Sequence, residues 1–532
     1  MIRLLTSCAL VFSAGVLLSL WRGHIGYMPL DQSIVFDGAW RVSTGQVPFR
    51  DFSLPNGLPP IYLQAVFFKL MGVTWFAYCL HAAILNGLFG LLALALLRRF
   101  GAARGSSVLY AAASTVVFYP PFGVPYMEQH AFFFSLLALV LMVEASLRTP
   151  GWPRPVRVLL WFLVPSCMVL AYLSKQIPSV FVLPLMLWLL VRTPAVDRPA
   201  ALGSIALGLA AVAVVVGRLA SVASVDLSWL YEAMVVLPSR EGYERVRALV
   251  GPEGPAIVVR VLRRTRLITP PLACLAALVL CARVVRRRPG GPPVVRADVD
   301  RLVVGASLLA TCFAFVVLTS NHPANGMPYG FIGSALLFAA LARWANDLVD
   351  PRWMRGLKLL VLVVVVVDAI QFDHFVNRPR RVHDMLVSES VPASPGLPPA
   401  LGFMRWAIPP HYPMTADDFG QLTRFFALNP GNFLLVGDAS ILYAVTHRPS
   451  VTPVLWLHPG LTLPWPSAPQ YGRFVERVAA GLRRYRVKYV VVEGDGTFLG
   501  VSARDLGIAG RLAGCREQKF GGYRVVELCR GP

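Results

Sequence analysis

A succession of apolar runs, each near the length that carries a helix across a bilayer (about 20 residues), constrains this chain more than any other feature. They fall near 4–22, 74–97, 105–119, 130–147, 158–173, 179–193, 201–222, 268–284, 302–319, 329–345 and 357–371. Eleven such runs in one chain predict a polytopic α-helical membrane protein with about eleven transmembrane helices. Residues 174–178 are so few that the helices on either side must form a tight hairpin. The first run ends without a small-x-small cleavage pattern, so it reads as an uncleaved anchor.

Charge then sets the orientation. The formal net charge is +22, but only 15% of residues are charged, against roughly 25% in soluble proteins. No basic patch interleaves with stacking aromatics, so a nucleic-acid partner is not expected. With a cytoplasmic N-terminus, the inner connectors carry Arg98, Arg99, Arg104, Arg192, Arg301 and Lys358 among many others. The short outer connectors 120–129, 174–178 and 320–328 carry Lys175 alone. That asymmetry follows the positive-inside rule and places the C-terminal region outside the cytoplasm, for a multi-pass protein of the inner (plasma) membrane. Segment 223–267 departs from the rule, ending in Arg260, Arg263, Arg264 and Arg266. It reads as two short interfacial helices, at 227–237 and 243–250, and its Arg cluster as a misplaced span, a lipid-headgroup contact or a cationic cradle for a lipid phosphate.

Three parts follow: a membrane region 1–371 with outer segments 23–73 and 223–267, a Pro-rich connector 372–424, and a small extracytoplasmic α/β domain 425–532. In the last part Phe433–Val436, Val487–Val492 and Tyr523–Leu528 read as strands and Gln470–Arg484 as an amphipathic helix. Cys515 and Cys529 flank a hairpin at Gly521-Gly522 and are plausible disulfide partners outside the cytoplasm.

The outer connectors hold the candidate chemistry. Segment 31–71 carries Asp31, Asp37 and Asp51 among proline breaks, and Glu128 stands where a Pro- and aromatic-rich connector enters the next span. Lys175-Gln176 forms the tight hairpin, and His322 and Asn325 offer polar groups in a later connector. Carboxylates and one Lys on a common membrane face suit proton transfer and phosphate binding on a lipid-borne substrate. No metal-ligand spacing is present, and no metal residues are assigned.

These residues carry a resemblance to the membrane-embedded GT-C glycosyltransferases. The nearest branch includes bacterial aminoarabinose transferases and rhizobial lipopolysaccharide sugar transferases, with protein mannosyltransferases more distant. The resemblance lies in Asp31, Ala39, Gly45, Pro48-Phe49-Arg50-Asp51, Leu58-Pro59-Pro60-Ile61-Tyr62, Glu128 and Lys175-Gln176. It implies a polyprenyl-phosphate sugar as donor and, as acceptor, an envelope glycan, lipid or protein. It also implies catalytic roles for Asp31 as base and Glu128 as second acid. Substrate binding falls to Lys175, Gln176, Asp37, Asp51, Arg260, Arg263, His322 and Asn325, and single displacement would invert the anomeric centre. Gln32 stands where many relatives carry Glu, and Leu58 where they carry Lys. No obligatory cofactor is therefore expected, and a divalent metal is left open. A lipid-linked glycan transporter and a non-catalytic scaffold binding envelope polymers are the alternatives; Asp438 and Glu493, at strand ends, would form the scaffold's binding edge.

Overall fold

The computed structural model describes residues 2–118, 123–147, 152–265, 267–285, 296–320, 327–346, 350–377, 396–406, 414–494, 497 and 499–529. Every apolar run identified above is helical: α1 (Ile2–Gly23), α4 (Trp75–Arg99), α5 (Arg104–Phe118), α6 (Met127–Ser146), α7 (Arg154–Ser174), α8 (Gln176–Arg192), α9 (Arg198–Val222), α13 (Thr269–Val285), α14 (Arg296–Phe315), α15 (Gly330–Ala345) and α16 (Pro351–Phe372). Among the described residues, six helices are long and apolar enough to cross a membrane, and shorter apolar helices accompany them. The chain is a polytopic helical membrane protein with a small C-terminal sheet.

Ion pairs mark one end of the bundle. Arg99 meets Glu144 at 3.2 Å, Arg157 meets Asp197 at 2.8 Å and Arg192 meets Asp300 at 2.7 Å. Each joins helix ends that share the connector side of α4–α5, α6–α7 and α8–α9, so the Arg of these connectors is partly neutralised by acids from neighbouring helices.

The other end carries the built-up layer. Segment 23–73, expected above to carry its acids among proline breaks, contains two helices, α2 (Pro29–Ser43) and α3 (Leu58–Met71). The first span stops before α2 because Gly26 takes φ 86° and its N–H donates to Arg405 O, while Pro29 restarts a helix. Asp31 therefore belongs to α2, not to the end of the first span. The 223–267 segment also differs from expectation: α10 (Leu227–Tyr231) runs through a π-helical turn, Glu232–Val236, into α11 (Leu237–Val250), followed by α12 (Gly254–Thr265).

The C-terminal unit is a four-stranded sheet in the order β1-β2-β4-β3, from β1 (Asn432–Val436), β2 (Val487–Glu493), β3 (Glu517–Phe520) and β4 (Tyr523–Glu527). β1 and β2 are parallel; the β2–β4 and β3–β4 pairs are antiparallel. The run Phe433–Val436 is buried throughout because both sheet faces are covered. On one face α19 (Tyr471–Arg484) presents Phe474, Val478 and Leu482 at four-residue spacing to Leu434, Val436, Val490 and Val492. Full burial of each is worth about 2 kcal/mol, so a charge at Val478 would detach the helix. The other face meets α17 (Ala416–Leu428) and α18 (Ile441–Val445), with the Phe433 ring stacked on Phe426 at 4.4 Å and on Tyr443 at 4.7 Å. A Thr415–Asp418 capping box starts α17, which crosses the boundary placed at 425. That second face shares one hydrophobic cluster with α2, α3 and the start of α4. Cys515 and Cys529 are disulfide-bonded.

Candidate active site

Three connectors at this end of the bundle converge on Lys175. This residue separates α7 from α8, and its Nζ lies 2.5 Å from Oε1 of Glu128, in the first turn of α6. The partial positive charge at a helix N-terminus favours a carboxylate there. Glu128 is buried, and its Oε2 meets no hydrogen-bond partner among the described residues; neither does either amide atom of the neighbouring Gln129. Such buried polar atoms are costly unless a ligand or water engages them. Lys175 also stands 5.5 Å from the Phe315 ring centroid, and a fifth of its side chain is exposed. The ammonium thus has a route to a ligand while it neutralises Glu128.

Backbone contacts hold this point together. Gln176 Nε2 donates to Pro55 O at 2.8 Å and to Met234 O at 3.0 Å. It ties outer segment 23–73 and the π-helical turn to the α7–α8 hairpin. Gly57, at φ 101°, donates its N–H to Leu173 O and leaves Met127 just the space that a Cβ would take. Gly123, at φ 59°, lies so close to Gly23 that a Cβ would collide with its backbone. The connector before Glu128 is thereby seated on the end of α1.

Asp31 stands in the first turn of α2 and is half-buried. Six residues of helix separate it from Asp37, so the two carboxylates leave α2 about 120° apart. Asp37 turns to the C-terminal unit: Arg41 Nε donates to it at 2.8 Å and Ser450 Oγ at 2.5 Å. Arg41 donates onward to Thr452 O and Oγ1, each at 2.7 Å. Burial raises the Asp37 carboxyl above the usual carboxylate range, against the opposing pull of Arg41. Asp51 likewise accepts from Val47 N–H, from Arg50 and, at 2.6 Å, from Arg484 on α19. Burial pushes its carboxyl up, but these hydrogen bonds outweigh that and hold it below the usual range.

The structure therefore brings Glu128, Lys175 and Gln176 together and engages Asp37 and Asp51 in docking the C-terminal unit. Arg260 and Arg263 are exposed on α12. His322 and Asn325 lie outside the described residues. Among the described residues, no three His, Cys, Asp or Glu gather as a metal site.

A buried polar relay beside the site has no counterpart in the sequence reading. His130 Nδ1–H donates to Tyr126 O at 2.7 Å, and its Nε2 lies 3.0 Å from His81 Nε2. The other His81 nitrogen, Nδ1, lies 3.0 Å from Gln64 Oε1. His81 sits alone on an apolar helix and gave no sequence signal; only the approach of α4 to α6 reveals the pair.

No family model matches the chain, and no curated protein matches it. Among solved structures it is similar to ArnT from Cupriavidus metallidurans bound to undecaprenyl phosphate, over 98% of this chain and 97% of that one, at 13% identity and a TM-score of 0.48. It is also similar to ArnT from Cupriavidus metallidurans in the apo state, over 98% of each chain, at 12% identity and a TM-score of 0.40.

Proposed function

We propose that this protein is a membrane glycosyltransferase that moves a sugar from a polyprenyl-phosphate donor to an extracytoplasmic acceptor. One observation carries the reading: a Lys with a fifth of its side chain exposed, beside a buried carboxylate with one unused oxygen, where three connectors meet on the face that the Arg asymmetry assigns to the outside. Lys175 contributes a point charge to the donor phosphate, and Glu128 keeps that charge in place between turnovers. Asp31 takes the proton from an acceptor hydroxyl or amine as its lone pair attacks the anomeric carbon. The bond from that carbon to the phosphate oxygen breaks with its electron pair on the phosphate, which Lys175 stabilises. One displacement inverts the anomeric centre.

Residues around this point divide the work. Gln176 fixes the hairpin that bears Lys175, Arg260 and Arg263 stand where further phosphate or headgroup contacts are available, and Asp37 and Asp51 hold the C-terminal unit over the acceptor side. His322 and Asn325 are retained as polar contacts to sugar or phosphate. The acceptor is an envelope glycan, lipid or protein, and the membrane is the inner one. In this scheme no step calls for a metal.

The test is turnover of polyprenyl-phosphate sugars by the purified protein in detergent. Asp31→Asn should lower kcat by about 10²–10⁴, the usual contribution of a general base, with donor affinity retained. Lys175→Gln should raise the donor KM. Equal loss of kcat and donor affinity in Asp31→Asn would count against the assigned base.

A further inference from the structure

A groove of about 580 Å³ opens at the end of the bundle opposite Lys175. Its walls come from the α4–α5 turn, α5, α13, α15 and α16, with Tyr110, Ala276, Ala339 and Leu357 among the lining side chains. Along α15 it extends from Asn346 to Ala335, about 16 Å at 1.5 Å per residue. That is about half of a 30 Å hydrocarbon core, so the groove is one leaflet deep. Leu272, Leu275 and Leu357 line it and remain 40, 58 and 49% exposed. Apolar walls of this depth favour an acyl chain over water.

The mouth is cationic. Arg301 is already committed, donating to Phe100 O at 2.8 Å and to Asp298 Oδ1 at 2.6 Å. Arg343 reaches the other Asp298 oxygen only at 3.8 Å, and its side chain is half exposed. Lys358 is exposed and touches Asn346 Oδ1 at 3.4 Å. Arg301 and Arg343 thus share the Asp298 carboxylate, and Arg343 and Lys358, on the rim, are held only by long contacts and have charge to offer.

We infer that this groove binds one anionic phospholipid of the adjoining leaflet, with an acyl chain between α13, α15 and α16 and the headgroup phosphate between Arg343 and Lys358. Chain burial and charge act together: a zwitterionic lipid offers the same chain, but its own cation offsets the attraction. The site uses neither Glu128 nor Lys175 and stands or falls independently of the transferase reading.

Native mass spectrometry of the full chain in detergent, with phosphatidylglycerol or phosphatidylcholine of identical chains added, tests this directly. At about 1 kcal/mol per basic residue near an anionic surface, two cations correspond to a preference of about thirtyfold for phosphatidylglycerol. Arg343→Gln with Lys358→Gln, both at exposed positions, should equalise the two lipids. Ala339→Trp, which fills the groove and spares the cations, should weaken both. Equal binding by the unmodified protein, or a preference that survives the double substitution, would overturn the inference. Displacement of the lipid by glycerol phosphate alone would do so too, since it would mark a headgroup site without a chain.

Discussion

Lys175 Nζ lies 2.5 Å from Glu128 Oε1, joining two connectors that are 47 residues apart in the chain. Removing one partner of a buried pair strands the other, at a cost of about 3 kcal/mol. Lys175→Met should therefore lower the unfolding temperature, and adding Glu128→Gln should recover most of the loss without recovering transfer activity. Thermal unfolding and donor turnover on the same samples separate the two effects; activity regained along with stability would make the pair purely architectural.

The junction of the C-terminal unit with α2 rests on Arg41 more than on Arg484. Arg41 is 1% exposed and holds Asp37 and Thr452, whereas the Arg484 side chain, bonded to Asp51, is 58% exposed. Arg41→Ala should cost about 3 kcal/mol by leaving Asp37 buried without its cation, and Arg484→Ala no more than about 1 kcal/mol. Limited proteolysis between the bundle and the sheet would show it, with Arg41→Ala cleaved far faster than Arg484→Ala.

Glu493, at the carboxyl end of β2, should make the C-terminal unit less stable as pH rises. Burial, reinforced by the neighbouring Asp438 charge, pushes its carboxyl up to about 8. The folded state thus holds a proton that the unfolded state releases above about 4.5, and stability falls with pH across that window. Asp51, held below the usual range, acts in the opposite direction only at acid pH. Glu493→Gln should flatten the dependence and raise the unfolding temperature at pH 8; an unchanged slope would remove Glu493 as its source.

The Cys515–Cys529 bond closes a short loop that includes the β3–β4 hairpin. A loop of about 15 residues corresponds to about 3 kcal/mol of stabilisation in the chain-entropy picture. Replacing both by Ser should lower the unfolding temperature of the sheet while leaving donor binding at Lys175 intact, as read by thermal unfolding and lipid retention in parallel.

What the sequence made legible was whatever depends on local pattern. Apolar run length located the helices, short apolar runs located β1, β2 and β4, and proximity to a hairpin pointed to the disulfide. Glu128 and Lys175 stood out because a charge at a span edge is rare, and they do meet. Long-range partners were not legible: Asp37 finds Ser450 and Asp51 finds Arg484 across more than 400 residues. The π-helical turn that presents Met234 O to Gln176 has no local signal either. β3 escaped because Glu517–Phe520 is short and polar, and becomes a strand only by pairing with β4.

The most direct measurement of the central claim is native mass spectrometry of the gently extracted protein, as the unmodified chain, Asp31→Asn and Lys175→Gln, after adding candidate donors. A polyprenyl phosphate bearing one sugar should be retained or enriched in Asp31→Asn, where transfer stops, and lost in Lys175→Gln, where the phosphate contact is gone. Phospholipids alone in all three samples would contradict it.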